Sequence, residues 1–182
     1  MPMAIYTKKG DKGETSVFSG KHLSKSSIRI AAIGAVDETN SFLGIILSED
    51  PKLTQLKDIQ RNLFALGSIL AGAPLRFPKS RTKKLEKAID RAEGSLPVLK
   101  NFILPGGGRV GAKLFFARTL ARRAERALVS LNKKEPLKPE ILVYLNRLSD
   151  YLFMLAREIN YKSGIKEESW RGRKANAKAR RE

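Results

Sequence analysis

Residues 138–161 read KPEILVYLNRLSDYLFMLAREINY, and apolar side chains recur through them at a spacing close to 3.5 residues. This spacing predicts one long amphipathic helix. Asn146 and Asp150 lie one turn apart on the side opposite the leucine stripe, between Leu142 and Phe153. Because apolar residues occur on both sides, we expect burial on both sides, by a partner subunit or at a binding site. Structural capping or an interhelical hydrogen bond made by these polar residues is the simpler alternative.

The segments upstream of this helix repeat the helical pattern, and none alternates as a strand of useful length would. The spacing predicts four more helices, over about 26–50, 54–70, 80–94 and 111–131. Residues 1–25 instead carry three glycines and many polar side chains, which predicts an ordered loop or a short extended arm. The residues alone therefore predict an all-α bundle of four or five long helices.

The composition excludes several kinds of chemistry. The 182 residues include no Cys and one His, which excludes a disulfide, a thiolate zinc site, a thiol nucleophile and a His-rich metal centre. Hydrophobic residues make up 42% of the chain, enough for a packed core. No run of about 18 apolar residues is present, and the N-terminus lacks the core of a signal peptide. We therefore expect a cytoplasmic protein without a membrane span.

The net charge of +18 first suggests a nucleic-acid-binding protein, but most of it lies in three blocks. Residues 76–91, 109–126 and 171–182 each carry a net charge of +5. The last block has no apolar residue larger than alanine, so we expect a mobile tail that is either solubilising or nucleic-acid-binding. The first block is interpreted as a solvated face of the third helix.

Two helix faces carry charged side chains beside the predicted core. On the fourth helix Arg118, Arg122 and Glu125 share one face. A solvated charged face is the default interpretation, but arginines next to a core stripe also suit a phosphate or a buried carboxylate. On the first helix Asp37 shares a face with two glycines, which suggests close approach of another helix or a ligand. Asp37 is either an ordinary exposed acid or a partner of Arg118.

Gly106, Gly108 and Gly111 match the G-x-G-x-x-G pattern of dinucleotide-binding proteins. That pattern has meaning only inside a strand–turn–helix crossover, and no such unit is predicted around it. We interpret the match as accidental. The glycines still leave backbone N–H groups free just before a helix, which suits either an anion or close packing of a loop.

Five motifs in a fixed order give the chain a specific resemblance to a known family. They are YTKKGDKGETS (6–16), VDETNSFLG (36–44), FILPGG (102–107), ARTLARRAER (117–126) and YLNRLSD (144–150). Together they resemble the PduO-type ATP:cob(I)alamin adenosyltransferases over about residues 4–170. The resemblance implies a ferritin-like, up-and-down bundle of five helices over residues 1–168, whose N-terminal loop at 1–25 wraps ATP. Residues 169–182 form a basic tail outside the family pattern.

The resemblance also implies site residues, position by position. The ATP-binding residues that it implies are Thr7, Lys8, Lys9, Gly10, Lys12, Gly13, Thr15, Ser16 and Lys25, followed by Arg122, Arg123, Glu125, Arg126 and Asn146. The implied catalytic set is Arg122, Asp37, Arg118 and Phe102. Within it, Asp37 and Arg118 resemble an inter-subunit salt bridge that shapes the cobalamin pocket. Phe102 resembles the aromatic residue that displaces the lower axial ligand of cobalamin. Phe115 departs from the family, because many relatives have His there.

The implied reaction transfers the 5′-deoxyadenosyl group of ATP to the cobalt of cob(I)alamin, giving adenosylcobalamin and triphosphate. ATP would bring Mg²⁺, and we expect no metal ligand from the protein. The implied partners are further copies in a homotrimer with active sites between subunits, a cob(II)alamin reductase and an adenosylcobalamin-dependent enzyme. Two alternatives stay open: a basic helical nucleic-acid-binding protein, and an ATP-binding trimer without catalysis.

Overall fold

The structure, a computed structural model, describes Tyr6, Lys8 and residues 10–170. These residues form the helices α1 (Ile28–Glu49), α2 (Gln55–Leu70), α3 (Ser80–Ser95), α4 (Arg109–Asn132) and α5 (Pro139–Lys162), and the short strands β1 (Glu14–Ser16) and β2 (His22–Ser24). The predicted all-α bundle is confirmed with five helices. Each predicted helix end lies within about two residues of the observed one, which is the usual uncertainty of a helix boundary.

Local sequence signals explain where the helices begin and end. The Ser27 hydroxyl accepts a backbone hydrogen bond in the first turn of α1 and so caps that helix. Pro139 occupies the first turn of α5, where its missing N–H costs nothing. Gly164, two residues after the last residue of α5, terminates the helix. Its φ of 69° allows the Ile165 N–H to donate to the Asn160 carbonyl at 2.9 Å. The chain after α5 is thereby turned back onto the end of its own helix.

The helices pack as an up-and-down bundle around one main core, in which α3 and α5 run parallel, as the pairs Lys79–Glu140 and Glu86–Arg147 show. α1 packs against α2 and α4, α4 packs against α5, and α5 also packs against α3. Ion pairs between Glu38 and Arg123 and between Glu49 and Lys113 fix the register in which α1 and α4 run past each other. The largest fully buried side chains of the core are Tyr144, Leu43, Ile46, Leu56, Leu63, Leu66, Leu70, Leu114, Leu128, Leu131, Ile141 and Leu145.

α3 covers part of the second apolar side of α5 within the same chain. Ala92 and Leu96, at the end of α3, pack with Met154 of α5, and Ile89 and Phe153 join them. Asp150 and Phe153 also line an open groove, so the expectation that a partner subunit or a binding site covers this side of α5 stays a prediction. Helical spacing shows that a face is apolar, but it does not say which helix covers that face.

The N-terminal segment contains a small hairpin where the sequence predicts only a loop or an extended arm. β1 and β2 pair antiparallel with Thr15 opposite Leu23. The turn of the hairpin rests on the end of α2, where Ser19 N–H donates to the Ala71 carbonyl at 3.2 Å. Gly72 makes this approach possible, because a Cβ there would lie 2.7 Å from the Ser19 Cβ. Strands of three residues are too short to show an alternating pattern.

α1 is the most apolar of the five helices. In the described part of the chain it is the one helix long and apolar enough to cross a membrane by length and composition, with a mean hydropathy of 1.4 over 18 residues. A core helix of a soluble bundle passes the same test, and α1 does line the core. Ile45 is 49% exposed, however, and Ile30, Ile33 and Phe42 are half-buried. Part of the apolar surface of α1 is therefore not covered by the chain itself.

Tyr151 provides a pH-dependent test of the packing of α2 on α5. Burial raises the pKa of its hydroxyl from 10.0 to about 12, and the nearby Glu158 carboxylate acts in the same direction. The unfolded chain releases this proton near pH 10 and the folded chain only near pH 12, so the free energy of unfolding falls as the pH rises through this range. We expect Tyr151→Phe to remove about 1–1.5 kcal/mol of that fall between pH 9 and pH 11.

Urea unfolding of the wild type and the variant at pH 9, 10 and 11 measures this difference. Tyr161→Phe is the matched control, because Tyr161 is exposed near the end of the same helix. Equal pH dependence in the wild type and in Tyr151→Phe would contradict the assigned burial effect.

Candidate active site

An open groove of about 940 Å³ lies beside α3, α4 and α5 and is bordered by the groove loop, residues 97–108. Its lining includes Phe102, Arg118, Arg147, Asp150 and Phe153. Phe102 and Val98, both in the groove loop, are 82% and 83% exposed. Large apolar side chains that are exposed next to each other mark a surface that a ligand or a partner covers. The groove is therefore the candidate binding site for a large, partly apolar molecule.

Arg118 lies where the groove meets α4, and its guanidinium packs over an aromatic ring of α5. Its guanidinium is 5.6 Å from the centre of the Phe153 ring, and Phe153 packs edge-to-face on Phe115 at 5.8 Å. Burial lowers the pKa of Arg118, the positive charge of Arg122 lowers it further, and Asp150 opposes them. The guanidinium stays charged at neutral pH because an arginine side chain loses its proton only far above neutral pH. Phe115, the departure from the family, is thus a buried support of this ring stack.

The outer face of α4 presents arginines that have no carboxylate partner among the described residues. Arg122 and Arg126 are exposed, lie one turn apart and form no ion pair with the described part of the chain. Arg123, by contrast, pairs with Glu38 of α1. Two neighbouring guanidinium groups repel each other, and a polyanion placed between them relieves that repulsion. The structure therefore favours Arg122 and Arg126 over Arg123 as contacts for a phosphate chain.

The two predicted polar residues of α5 both have partners within the chain. Asn146 donates its side-chain amide to Glu125 on α4 at 2.9 Å, so the two residues that the sequence analysis assigned to one site are in contact. Asp150 accepts from Arg147 at 2.8 Å. The simpler alternative, an interhelical hydrogen bond, is therefore observed for Asn146, whereas Asp150 pairs with a residue of its own helix. Both side chains are nevertheless exposed, so a bound molecule can still reach them.

The N-terminal loop is organised around Lys25. Its ammonium group donates to the Gly10 carbonyl at 2.7 Å, and its backbone N–H donates to the Gly13 carbonyl at 2.8 Å. Gly13 has a φ of 82°, and Lys8 also has a positive φ, of 59°. The predicted role of Lys25 as a triphosphate contact is untested, and its contacts here are those of a residue that shapes the loop. Thr7 and Lys9 lie outside the described residues.

The remaining predicted residues of this loop lie on or beside the hairpin. Lys12 is exposed in the turn before β1, and Thr15 and Ser16 belong to β1. Ser16 and His22 approach each other across the hairpin, with Oγ and Nδ1 3.4 Å apart. No hydrogen bond or ion pair within residues 10–170 joins this hairpin to the arginine face of α4. Within the described residues, the two predicted parts of the ATP site are therefore not joined by a hydrogen bond or an ion pair.

Asp37 and Arg118 do not pair within the chain. The register set by the ion pairs between α1 and α4 places Asp37 opposite residue 124 and Arg118 opposite residue 43. These positions differ by six residues, roughly 9 Å along the helix axis. Asp37 is exposed and forms no ion pair with the other described residues. The pairing within one chain that the helix faces allowed is therefore excluded, and the inter-subunit bridge stays a prediction.

The glycines of the G-x-G-x-x-G pattern pack against Asn160, which the sequence analysis did not single out. Asn160 is 3% exposed, donates to the Gly106 carbonyl at 2.9 Å and accepts from Gly108 N–H at 3.1 Å. A Cβ on Gly107 would lie 2.3 Å from its amide nitrogen. The interpretation of the pattern as accidental is confirmed, and of the two roles left open for the glycines the structure shows loop packing. A buried Asn in the last turn of an otherwise apolar helix face was the available signal.

No group of three or more His, Cys, Asp or Glu side chains within the described residues is placed to hold a metal ion.

The fold and the site together define a class of protein: an up-and-down helical bundle with an arginine-rich helix face beside an open groove that is lined by both apolar and charged side chains. Residues 5–159 match the family described as cobalamin adenosyltransferase, and the chain belongs to that family. It is 42% identical over 174 residues to the corrinoid adenosyltransferase of Bacillus subtilis, covering 90% of each chain. It is also 42% identical over 172 residues to the cobalamin adenosyltransferase of Cupriavidus metallidurans, covering 91% of this chain and 93% of that one.

A solved structure with the same fold is that of a PduO-type ATP:corrinoid adenosyltransferase from Lactobacillus reuteri, complexed with cobalamin and ATP. It has a TM-score of 0.89 and 38% sequence identity, with 93% of this chain and 100% of that chain covered. The protein in that structure is a variant in which one phenylalanine is replaced by alanine.

Proposed function

We propose that this chain transfers the 5′-deoxyadenosyl group of ATP to the cobalt of cob(I)alamin, releasing triphosphate and giving adenosylcobalamin. The observation that carries the proposal is the open groove with Phe102 on one side and Arg118 on the other, next to the arginine face of α4, in a chain of this family. The groove is large and apolar enough for a corrin ring, and the α4 face has the charge that a triphosphate requires.

In this reaction the cobalt of the substrate attacks the 5′ carbon of ATP, a Co–C bond forms, and the C5′–O bond to the triphosphate breaks. The metal is itself a strong nucleophile, so no Ser, Cys or His nucleophile is required from the protein. The protein positions the 5′ carbon and stabilises the charge that collects on the leaving triphosphate. Arg122 and Arg126 have the position and charge for the second task, together with Mg²⁺ carried by ATP.

Phe102 supports the cobalamin part of the proposal. Reduction of the cobalt is easier when its lower axial ligand has been removed, and an exposed apolar side chain at the groove can exclude water or a base from that position. Phe102 is 82% exposed, although its backbone is tied to the rest of the protein. Asp37 and Arg118, on the same proposal, meet across a subunit boundary and shape the pocket from the other side.

A homotrimer with active sites between subunits is part of the proposal. The uncovered apolar surface of α1 continues onto α4, where Phe116 is 53% exposed and packs edge-to-face on Phe42 at 5.0 Å. No hydrogen bond or ion pair within residues 10–170 joins the hairpin to the arginine face of α4, and a site shared between copies would bring the two together. A cytoplasmic location, a cob(II)alamin reductase upstream and an adenosylcobalamin-dependent enzyme downstream complete the proposal.

Phe116→Glu is expected to convert the trimer into monomers, because a carboxylate placed in an apolar interface loses its hydration. Sedimentation velocity at micromolar concentration measures the change in mass. Phe64→Glu is the matched control, since Phe64 is exposed on α2, away from this surface. A trimer that persists in Phe116→Glu would show that the copies meet elsewhere.

The function itself is tested by incubating the protein with ATP and chemically reduced cobalamin and following adenosylcobalamin by absorbance. Product formation with triphosphate release supports the enzyme. ATP binding without product would favour a non-catalytic ATP-binding trimer. No product, together with salt-dependent binding of DNA or RNA, would favour the nucleic-acid-binding alternative.

A further inference from the structure

We propose that Arg157 and Asn160, in the last two turns of α5, are positioning residues that hold the groove loop so that Phe102 is presented at the groove. The inference rests on the function proposed above, because it concerns the same groove. Neither residue is assigned a contact with cobalamin or ATP, and both would act through the backbone of residues 97–108.

Arg157 holds the beginning of the groove loop. Its buried guanidinium forms a forked ion pair with Glu167, with Nε–Oε1 at 2.6 Å and Nη2–Oε2 at 3.1 Å. The same Nη2 also donates to the Pro97 carbonyl at 2.9 Å. A single side chain of α5 thus binds both the start of the groove loop and the segment that follows α5.

Asn160, one turn later on the same helix face, holds the other end of the loop. Its amide bonds to the Gly106 carbonyl and accepts from Gly108 N–H, at 2.9 and 3.1 Å. The fit is close, because a Cβ on Gly111 would lie 2.1 Å from the Asn160 Oδ1. Gly107, with a φ of 102°, completes the turn around this side chain.

The segment after α5 holds the middle of the loop. Trp170 N–H donates to the Phe102 carbonyl at 2.7 Å, and Leu104 N–H donates to the Glu168 carbonyl at 2.9 Å. Ser169 pairs with Ile103 between these two bonds. The sequence analysis assigned 169–182 to the tail, so this pairing extends two residues into that range. The loop that carries Phe102 is therefore held at its start, its middle and its end.

The backbone around Phe102 is held by hydrogen bonds while its side chain is exposed, and this contrast indicates a role for the side chain at the groove. Buried polar groups hold the loop, yet the residue at its middle buries little of its side chain in this chain. Fixing a loop before its ligand arrives lowers the conformational entropy that is lost on binding. Phe102 would then reach its place beneath the corrin ring without ordering the loop around it.

The test uses Asn160→Ala and the milder Glu167→Gln, which keeps the shape of the side chain but removes the charge facing Arg157. Asn132→Ala is the matched control. Asn132 also accepts a backbone hydrogen bond, from Leu137 N–H at 2.8 Å, but it lies at the opposite end of α4 from the groove loop. All variants are made in the full chain.

Two measurements are made on the protein without substrates. Amide hydrogen exchange of residues 97–108 is expected to be at least tenfold faster in Asn160→Ala and Glu167→Gln than in the wild type or the control. Trp170 is the only tryptophan, so acrylamide quenching of its fluorescence reports whether the segment after α5 stays docked. We expect stronger quenching in Glu167→Gln.

Two further measurements are made with ATP and cob(II)alamin. The fraction of four-coordinate cob(II)alamin, read from its absorption and electron paramagnetic resonance spectra, is expected to fall at least fivefold in both variants. The Kd for ATP, from titration calorimetry, is expected to change less than twofold. Substitution of a residue that only stabilised the fold would lower the melting temperature. It would not lower the four-coordinate fraction selectively while leaving the Kd for ATP unchanged.

Unchanged exchange of the groove loop in both variants would overturn the inference, whatever the enzyme activity. Faster exchange with unchanged cobalamin spectra would also overturn it, since the loop would then move without consequence for Phe102. An equal effect in Asn132→Ala would also overturn the inference, because the changes would then reflect a general loss of stability. A wild type that neither changes the spectrum of cobalamin nor makes product would overturn the proposed function and this role together, while the exchange data would still decide the loop contacts.

Discussion

Arg122→Ala is expected to lower kcat/KM for adenosyl transfer by roughly 30- to 1000-fold, equivalent to about 2–4 kcal/mol of transition-state stabilisation. Arg122 is exposed, lies on the arginine face of α4 and forms no ion pair with the other described residues, so its positive charge is available to a ligand. The negative charge on triphosphate increases as the C5′–O bond breaks, which is why the loss should fall largely on kcat. Steady-state kinetics with reduced cobalamin and varied ATP measure it.

Arg61→Ala is the matched control for this change. Arg61 is an exposed arginine on α2 with an ordinary surface ion pair to Asp58 at 2.9 Å, outside the arginine face of α4. Both variants should unfold within about 0.5 kcal/mol of the wild type, because exposed surface substitutions have small effects on stability. Turnover like that of the wild type in Arg122→Ala would remove Arg122 from the proposed role.

Phe102→Ala is expected to slow adenosylation starting from cob(II)alamin by about 10- to 100-fold while leaving the Kd for ATP nearly unchanged. The lost stabilisation is that of covering one large aromatic side chain, about 1.5–3 kcal/mol. The variant should also show much less four-coordinate cob(II)alamin in its absorption spectrum. The free protein should lose little stability, since the ring buries little surface in the chain itself.

Phe64→Ala serves as the control, because Phe64 is an exposed phenylalanine on α2 and does not line the groove. Its kinetics and cobalamin spectra should match those of the wild type. Unchanged cobalamin spectra in Phe102→Ala would count against the proposed wedge.

Long helices were the part of the fold that the sequence predicted well. α4 and α5 each span 24 residues, so their apolar spacing repeats often enough to locate both ends. The β1–β2 hairpin was not predicted, because strands of three residues are too short to show an alternating pattern. The packing of α3 on α5 was not predicted either, since the spacing within one helix does not identify the helix that packs against it.

Within the candidate site, the sequence could group residues that lie on one helix but not those that meet through the fold. Arg118, Arg122 and Glu125 follow from helical geometry. The pairing of Arg123 with Glu38 depends on the register between two helices. The contact between Asn160 and the glycines bridges 52 residues of chain and depends on the turn after α5. Contacts of this kind are fixed by tertiary structure and leave only faint traces in a single sequence.

The uncovered apolar surface of α1 has a consequence for how the stability of this protein should be understood. A helix that is completed by neighbouring copies makes the stability of each subunit a function of protein concentration. In the proposed trimer, substrates bound between subunits would strengthen the association of the subunits, and dilution would by the same linkage weaken the hold on substrates. The affinity for substrate and the affinity of the subunits for one another would then be linked, so that a change in one changes the other.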